Sequence, residues 1–293
     1  MLITKSYQDI PTKLDANGQP VRIFIISPHL PNYPNARFPG VVVFRRVFGI
    51  AFGPLRDFRI VCSEIYQVTG PVERFAGQIA SRGYIVACPS VYHEFEGPEP
   101  IPYDVEGTDR GNKYKIEKKV EAYDEDATLA IDLLVNHVNC NGRIAATGMC
   151  LGGHLAFRAA FDSRVLASAC WFATDIHSAT LGKGKQDDTL VRVRRGDLTG
   201  RGEVMMIFGK QDTHVPRPGR DLIRQTLEDA NVVSSFLEVQ AQHAFIRDEH
   251  SKGRWDAALT HALFGCMMEL FERTVARDLG TCSNVAADAE HVC

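Results

Sequence analysis

The stretch Ala145-Ala-Thr-Gly-Met-Cys-Leu-Gly-Gly-His154 decides how the rest of the chain is read. An apolar run from Arg143 to Thr147 enters it, and a helix-forming run, Leu155-Ala-Phe-Arg-Ala-Ala-Phe161, leaves it. Its centre reads G-x-C-x-G-G, with Cys150 where a G-x-S-x-G nucleophile elbow carries serine. A strand-to-helix reversal this tight forces the nucleophile into a strained backbone region, where neighbouring side chains would collide with the turn. Gly148 and Gly152 remove those collisions, and Gly153 lets the helix pack closely. The helix N-terminus then lies beneath the sulfur and favours negative charge there.

Working outward, apolar runs alternate with helical periods. Val21–Ser27, Gly40–Phe44, Tyr84–Cys88, Ala167–Phe172, Glu203–Phe208 and Ser235–Val239 read as strands, several with the unbroken apolar character of strands buried on both faces. Pro71–Arg82 has a helical period and ends at Gly83, a suitable C-cap. Pro28–Pro39 is a loop, and Ser90–Tyr114 is irregular and rich in Glu, Gly, Pro and Asp. Lys115–Val138 reads as one amphipathic helix, with Val120, Tyr123, Ala127, Ile131 and Leu134 on one stripe. Asp221–Ala230 and Trp255–Leu279 are further helices. Strands alternating with helices predict an α/β fold, a mostly parallel central sheet with helices on both faces. With no repeat and no linker, residues 1–280 are expected to form one domain, and 281–293 a polar, disordered tail.

Composition narrows the function classes. A formal charge of −3 leaves no electrostatic footprint for nucleic acid or an anionic membrane. No apolar run approaches the roughly 20 residues that span a bilayer, and Met1-Leu-Ile-Thr-Lys-Ser has no signal-peptide core. The eight cysteines form no C-x-x-C pair, which points to reduced thiols and a cytoplasmic location. No His or Cys pair has ligand spacing with a third partner nearby, and the glycines around Cys150 lack G-x-G spacing. Neither a metal nor a dinucleotide cofactor is expected. The expected partner is a small molecule, on a monomer or homodimer.

In an open α/β sheet, reactive groups gather at the C-terminal ends of the strands. Three strand ends carry them: Cys150, then Asp212 in Gly209-Lys-Gln-Asp-Thr-His214, then His243 in Gln240-Ala-Gln-His-Ala-Phe-Ile-Arg247. Nucleophile, acid and base follow in the chain order of the α/β-hydrolase fold. His243 would deprotonate the thiol, and Asp212 would fix the imidazole tautomer and stabilise its charged form. His214 is a nearby competitor for the role of base. Taken singly, an Asp after a strand is usually a turn former and a loop His usually just solvated. The three together, in order, are what point to a triad.

The G-M-C-L-G-G elbow, the G-x-x-D strand end and the H-x-F-x-R segment resemble the dienelactone hydrolase family, from about Val21 to Phe271. The resemblance implies a cysteine hydrolase that opens a lactone or small carboxylic ester through an acyl-thioester. Ser63-Glu-Ile-Tyr-Gln67 is similar to the family's Glu motif, which implies that Glu64 contacts the nucleophile. An ionised carboxylate beside a thiol disfavours the thiolate, so Glu64 suits a proton acceptor or switch rather than an electrostatic activator. The same resemblance implies an oxyanion hole from the N–H groups of Leu151 and Ile65, and Arg247 as the fork for a substrate carboxylate. In Pro89-Ser-Val-Tyr-His-Glu94, Glu94 stands where the family has a second arginine. An acid there would repel a carboxylate, with His93 or Arg110 as compensating candidates and Tyr92 beside them. A general carboxylesterase or thioesterase, or a catalytically silent small-ligand-binding homologue, are the alternatives.

One segment departs from the family. Arg45–Cys62 (RRVFGIAFGPLRDFRIVC) separates the strand ending at Phe44 from Ser63-Glu64, which the family joins almost directly. It reads as an insertion, either a retained intron or a lid or specificity loop. A spliced transcript lacking these codons would identify the intron.

Overall fold

The computed structural model describes residues 2–14, 18–44 and 70–277. Arg45–Cys62, Glu64, Ile65 and the tail 281–293 lie outside them. The strands are β1 (Ile3–Ile10), β2 (Val21–Pro28), β3 (Phe38–Phe44), β4 (Ile85–Pro89), β5 (Cys140–Met149), β6 (Val165–Trp171), β7 (Glu203–Gly209) and β8 (Ser234–Val239). The helices are α1 (Gly70–Ser81), α2 (Val105–Glu117), α3 (Val120–Val135), α4 (Leu151–Ala159), α5 (Thr189–Arg194), α6 (Arg217–Asp229) and α7 (Ala257–Phe271). The strands form one sheet in the order β1-β2-β4-β3-β5-β6-β7-β8. Every pairing is parallel except those of β2, which runs against both β1 and β4.

The central strands β3, β4, β5, β6 and β7 are almost wholly apolar where they are buried, as suits strands covered on both faces, with Thr147 and Ser168 the buried polar side chains among them. The helices supply the cover. α3 and α4 pack together, and α1 meets α7 through an edge-on contact of Phe75 with Phe264. Register brings the strand ends level: Phe44 pairs with Gly148, Met149 with Trp171, Trp171 with Ile207, and Gly209 with Val239. The loops leaving these ends therefore open on one edge of the sheet. None of the described helices is long and apolar enough to cross a membrane.

The structure corrects several boundaries. The expected helix Lys115–Val138 is two helices, because the backbone of Lys118 turns extended (φ −69°, ψ 139°). The turn carries the Lys118 ammonium inward, where it bonds Glu94 at 2.6 Å and Asp126 at 2.9 Å. The stretch Ser90–Tyr114 is not irregular throughout: α2 starts at Val105, capped by the Asp104 carboxylate on the N–H of Gly107. Helix α6 starts at Arg217, one residue after Pro216, earlier than the apolar period suggests. Helix α7 gives way to a π-helical turn, Glu272–Ala276, before Leu279 is reached.

Candidate active site

Cys150 sits at the sharp turn between β5 and α4 with φ 57° and ψ −121°, a conformation unfavourable to any residue but glycine. Hydrogen bonds hold it there. Its N–H donates to Trp171 O at 3.0 Å, and its own carbonyl accepts from the N–H groups of His154 and Thr174 at 3.2 Å each. The flanking glycines leave no room for a side chain. A Cβ on Gly148 would lie 2.1 Å from Gly152 O, and one on Gly152 would lie 1.9 Å from Phe44 O. Beneath the turn, the Trp171 indole donates to the Thr147 hydroxyl (3.2 Å), which donates to Ala169 O (2.8 Å). Leu151 is the first residue of α4, so its N–H has no carbonyl one turn earlier in the helix to bond.

Asp212 follows β7 and His243 follows β8, and the structure brings them together. Nδ1 of His243 lies 2.7 Å from Oδ2 of Asp212, with both side chains buried. The other Asp212 oxygen accepts the backbone N–H of His214 at 2.8 Å, which fixes the carboxylate. Burial works against charge on Asp212, but the bond and charge of His243, together with the His214 N–H and ring, outweigh it and keep the carboxyl below its usual range. Burial also opposes a charged His243. Cys150, and then Asp212, more than offset it and push the imidazole up to about 10. His243 is thus coupled to both neighbours, while its buried Nε2 has no well-formed hydrogen bond among the described residues to compete for it. The ring is wedged between Phe172 (centroids 4.9 Å apart) and His214 (4.4 Å).

Cys150 opens into a cavity of about 180 Å³. Asn112 and Lys115 of α2, Thr174, Asp175, His177 and Ser178 of the loop after β6, and His214 complete its lining. Lys115 Nζ bonds both oxygens of Asp175, at 3.0 and 3.2 Å. The Thr174 hydroxyl donates to Asp175 at 2.7 Å and lies 3.9 Å from the Cys150 sulfur. These polar residues give no sign in periodicity. The one signal available was Asp175 itself, a carboxylate just past the end of β6.

Other residues implied by the resemblance have buried or partly buried partners of their own. His93 is buried against Asp126 (Nε2 to Oδ1, 3.0 Å) and Gln19 O (3.1 Å), so it does not line the Cys150 cavity. Arg110 faces Glu96 at 3.7 Å, and the buried Tyr92 donates to Gly111 O at 3.2 Å. Neither reaches that cavity's lining. Arg247 is fully buried, donates to His250 O at 2.7 Å and places its guanidinium 4.9 Å from the centre of the Tyr103 ring. Glu94 is not a lone acid: it pairs with Lys118, which it shares with Asp126. Among the described residues, no group of three His, Cys, Asp or Glu side chains is arranged to hold a metal ion.

A mostly parallel sheet with a strained cysteine elbow, and an acid and an imidazole after the next strands, defines an α/β-hydrolase. The chain belongs to the dienelactone hydrolase family, whose sequence profile matches residues 26–275, and it is an esterase-type hydrolase. A Saccharomyces cerevisiae protein with a provisional carboxymethylenebutenolidase name is 50% identical over 295 residues, covering 100% of both chains. Carboxymethylenebutenolidase of Pseudomonas putida is 25% identical over 193 residues, covering 66% of this chain and 76% of that one. The same fold is seen in a crystal structure from Klebsiella pneumoniae with a provisional dienelactone hydrolase title. It has a TM-score of 0.68 and 18% identity, and covers 93% of this chain and 100% of that one.

Proposed function

We propose that this hydrolase cleaves a lactone or small carboxylic ester through a thioester on Cys150, with His243 as general base and Asp212 orienting it. The observation that carries this reading is the buried 2.7 Å contact of His243 Nδ1 with Asp212, in a ring whose charge is also favoured by Cys150. Asp212 holds the proton on Nδ1, which leaves Nε2 to take the thiol proton. The thiolate attacks the carbonyl carbon, and the oxyanion formed is stabilised by the N–H of Leu151 at the start of α4. The imidazolium returns its proton to the departing alkoxide, leaving the acyl group on sulfur. His243 then deprotonates water, which attacks the thioester. The thiolate departs and recovers the proton, and the acid is released. Glu64 and Ile65 would complete the nucleophile's surroundings and the oxyanion hole. Cys88, Cys140, Cys150, Cys170 and Cys266 are free thiols, which supports a reducing compartment such as the cytoplasm.

The test compares hydrolysis of p-nitrophenyl acetate and of cis-dienelactone by wild type and by Cys150→Ala. This reading expects turnover of at least one that the substitution abolishes. Undiminished turnover by folded Cys150→Ala would overturn it.

A further inference from the structure

The lining of the Cys150 cavity bears on substrate charge, a question that rests on the function proposed above. Small-molecule pockets are usually lined by apolar side chains with a few polar groups placed among them. Here every described lining residue other than Cys150 is polar, so a bare hydrocarbon group would leave donors and acceptors unsatisfied. The charges on that lining also cancel. Lys115 supplies a cation and Asp175 an anion, in contact at 3.0 Å. Burial disfavours an ionised Asp175, but the Lys115 charge and bonds from Thr174 and Thr180 outweigh it and hold the carboxyl below its usual range. His177 is kept neutral at neutral pH by burial, and His214 by burial and by the charge of His243. Arg254, whose charge reaches His214, stands outside the lining.

An ammonium has three donors, and one carboxylate occupies at most two of them in this geometry. Among the described residues Lys115 therefore retains a donor, while Asp175 is filled by Lys115, Thr174 and Thr180. We infer that Lys115, its charge balanced by Asp175, makes this cavity select uncharged, oxygen-bearing esters and lactones over anionic ones. Lys115 donates to a neutral oxygen of the substrate, and Asp175 removes the attraction that a lone ammonium would exert on a carboxylate. Asp175 is the specificity-setting partner and does not touch the reacting atoms.

The experiment uses 3-carbamoylphenyl acetate and 3-carboxyphenyl acetate, which share an acyl group and differ by one charge. Values of kcat/KM, corrected for each ester's rate with hydroxide, give a neutral-to-anionic ratio. Wild type is expected to favour the neutral ester. Asp175→Asn suits the left-handed backbone at this position (φ 68°) and leaves Lys115 uncompensated. It should move the ratio toward the anion by roughly tenfold. Lys115→Gln leaves Asp175 uncompensated, so the ratio should move away from the anion while the neutral ester also loses rate. Opposite shifts in the two variants support the inference. A wild-type preference for the anion, or unmoved ratios in folded variants, would overturn it while leaving the Cys150 mechanism intact. Hydrolysis of either ester that survives in Cys150→Ala would instead overturn the mechanism on which it rests.

Discussion

Nδ1 of His243 and Oδ2 of Asp212 stand 2.7 Å apart with both side chains out of water. A carboxylate so placed can do two things for an imidazole: fix its tautomer and stabilise its charged form. Asp212→Asn keeps the shape and removes the charge. The expected result is a fall in kcat/KM of about 10²- to 10⁴-fold with little change in KM. Steady-state kinetics on p-nitrophenyl acetate checks it.

The charge on His243 also links stability to pH. Burial disfavours the imidazolium, but Cys150 and Asp212 raise the group from 6.5 to about 10. A raised pKa means that the folded state holds the proton more tightly. The stabilisation is therefore fully present below the unfolded value, about 6.5, and is lost as pH rises through about 10. Cys150→Ala removes the strongest raising influence, so its loss should be complete at a lower pH. Unfolding free energy by urea, followed from pH 6 to 10, should give wild-type and variant curves of different shape. Parallel curves would contradict the assignment.

The elbow admits no side chain at Gly152. A Cβ there would meet Phe44 O at 1.9 Å, and backbone cannot swing aside as a flexible side chain does. Gly152→Ala is expected to destabilise the fold by about 1–3 kcal/mol and to displace Cys150 from its attack geometry. Chemical denaturation and residual esterase activity, measured together, check both effects.

Lys118 is fully buried between Glu94 and Asp126, with His93 Nε2 at 3.3 Å. Lys118→Met leaves those acids without their cation and is expected to cost about 3–5 kcal/mol. Because Lys118 stands at the break between α2 and α3 and ties it to the interior, the variant should loosen α2. Faster amide exchange in α2 than in α7 would report it.

Much of this was legible in the chain. Apolar runs marked β3 through β7, because strands covered on both faces bury few polar side chains, here Thr147 and Ser168. Cys150, Asp212 and His243 were legible because each follows such a strand. Strand β1 was not, since ITKSYQDI is an exposed edge with partners on one side only. Helix α2 was obscured by its polar composition, with only Gly107 and Gly111 buried. Its docking nonetheless brings Asn112 and Lys115 to the cavity, and long-range contact of that kind leaves no local pattern. His93 was chosen by its neighbours in sequence, whereas its ring is claimed by Asp126, 33 residues away.

The most direct test of the proposed chemistry is acid-quenched mass spectrometry of the enzyme during p-nitrophenyl acetate turnover, followed by peptide mapping. An acetyl group is expected on the peptide containing Cys150, formed at a rate that matches or exceeds turnover and absent in Cys150→Ala. An acetyl group on another residue at that rate, or undiminished turnover by the variant, would contradict it.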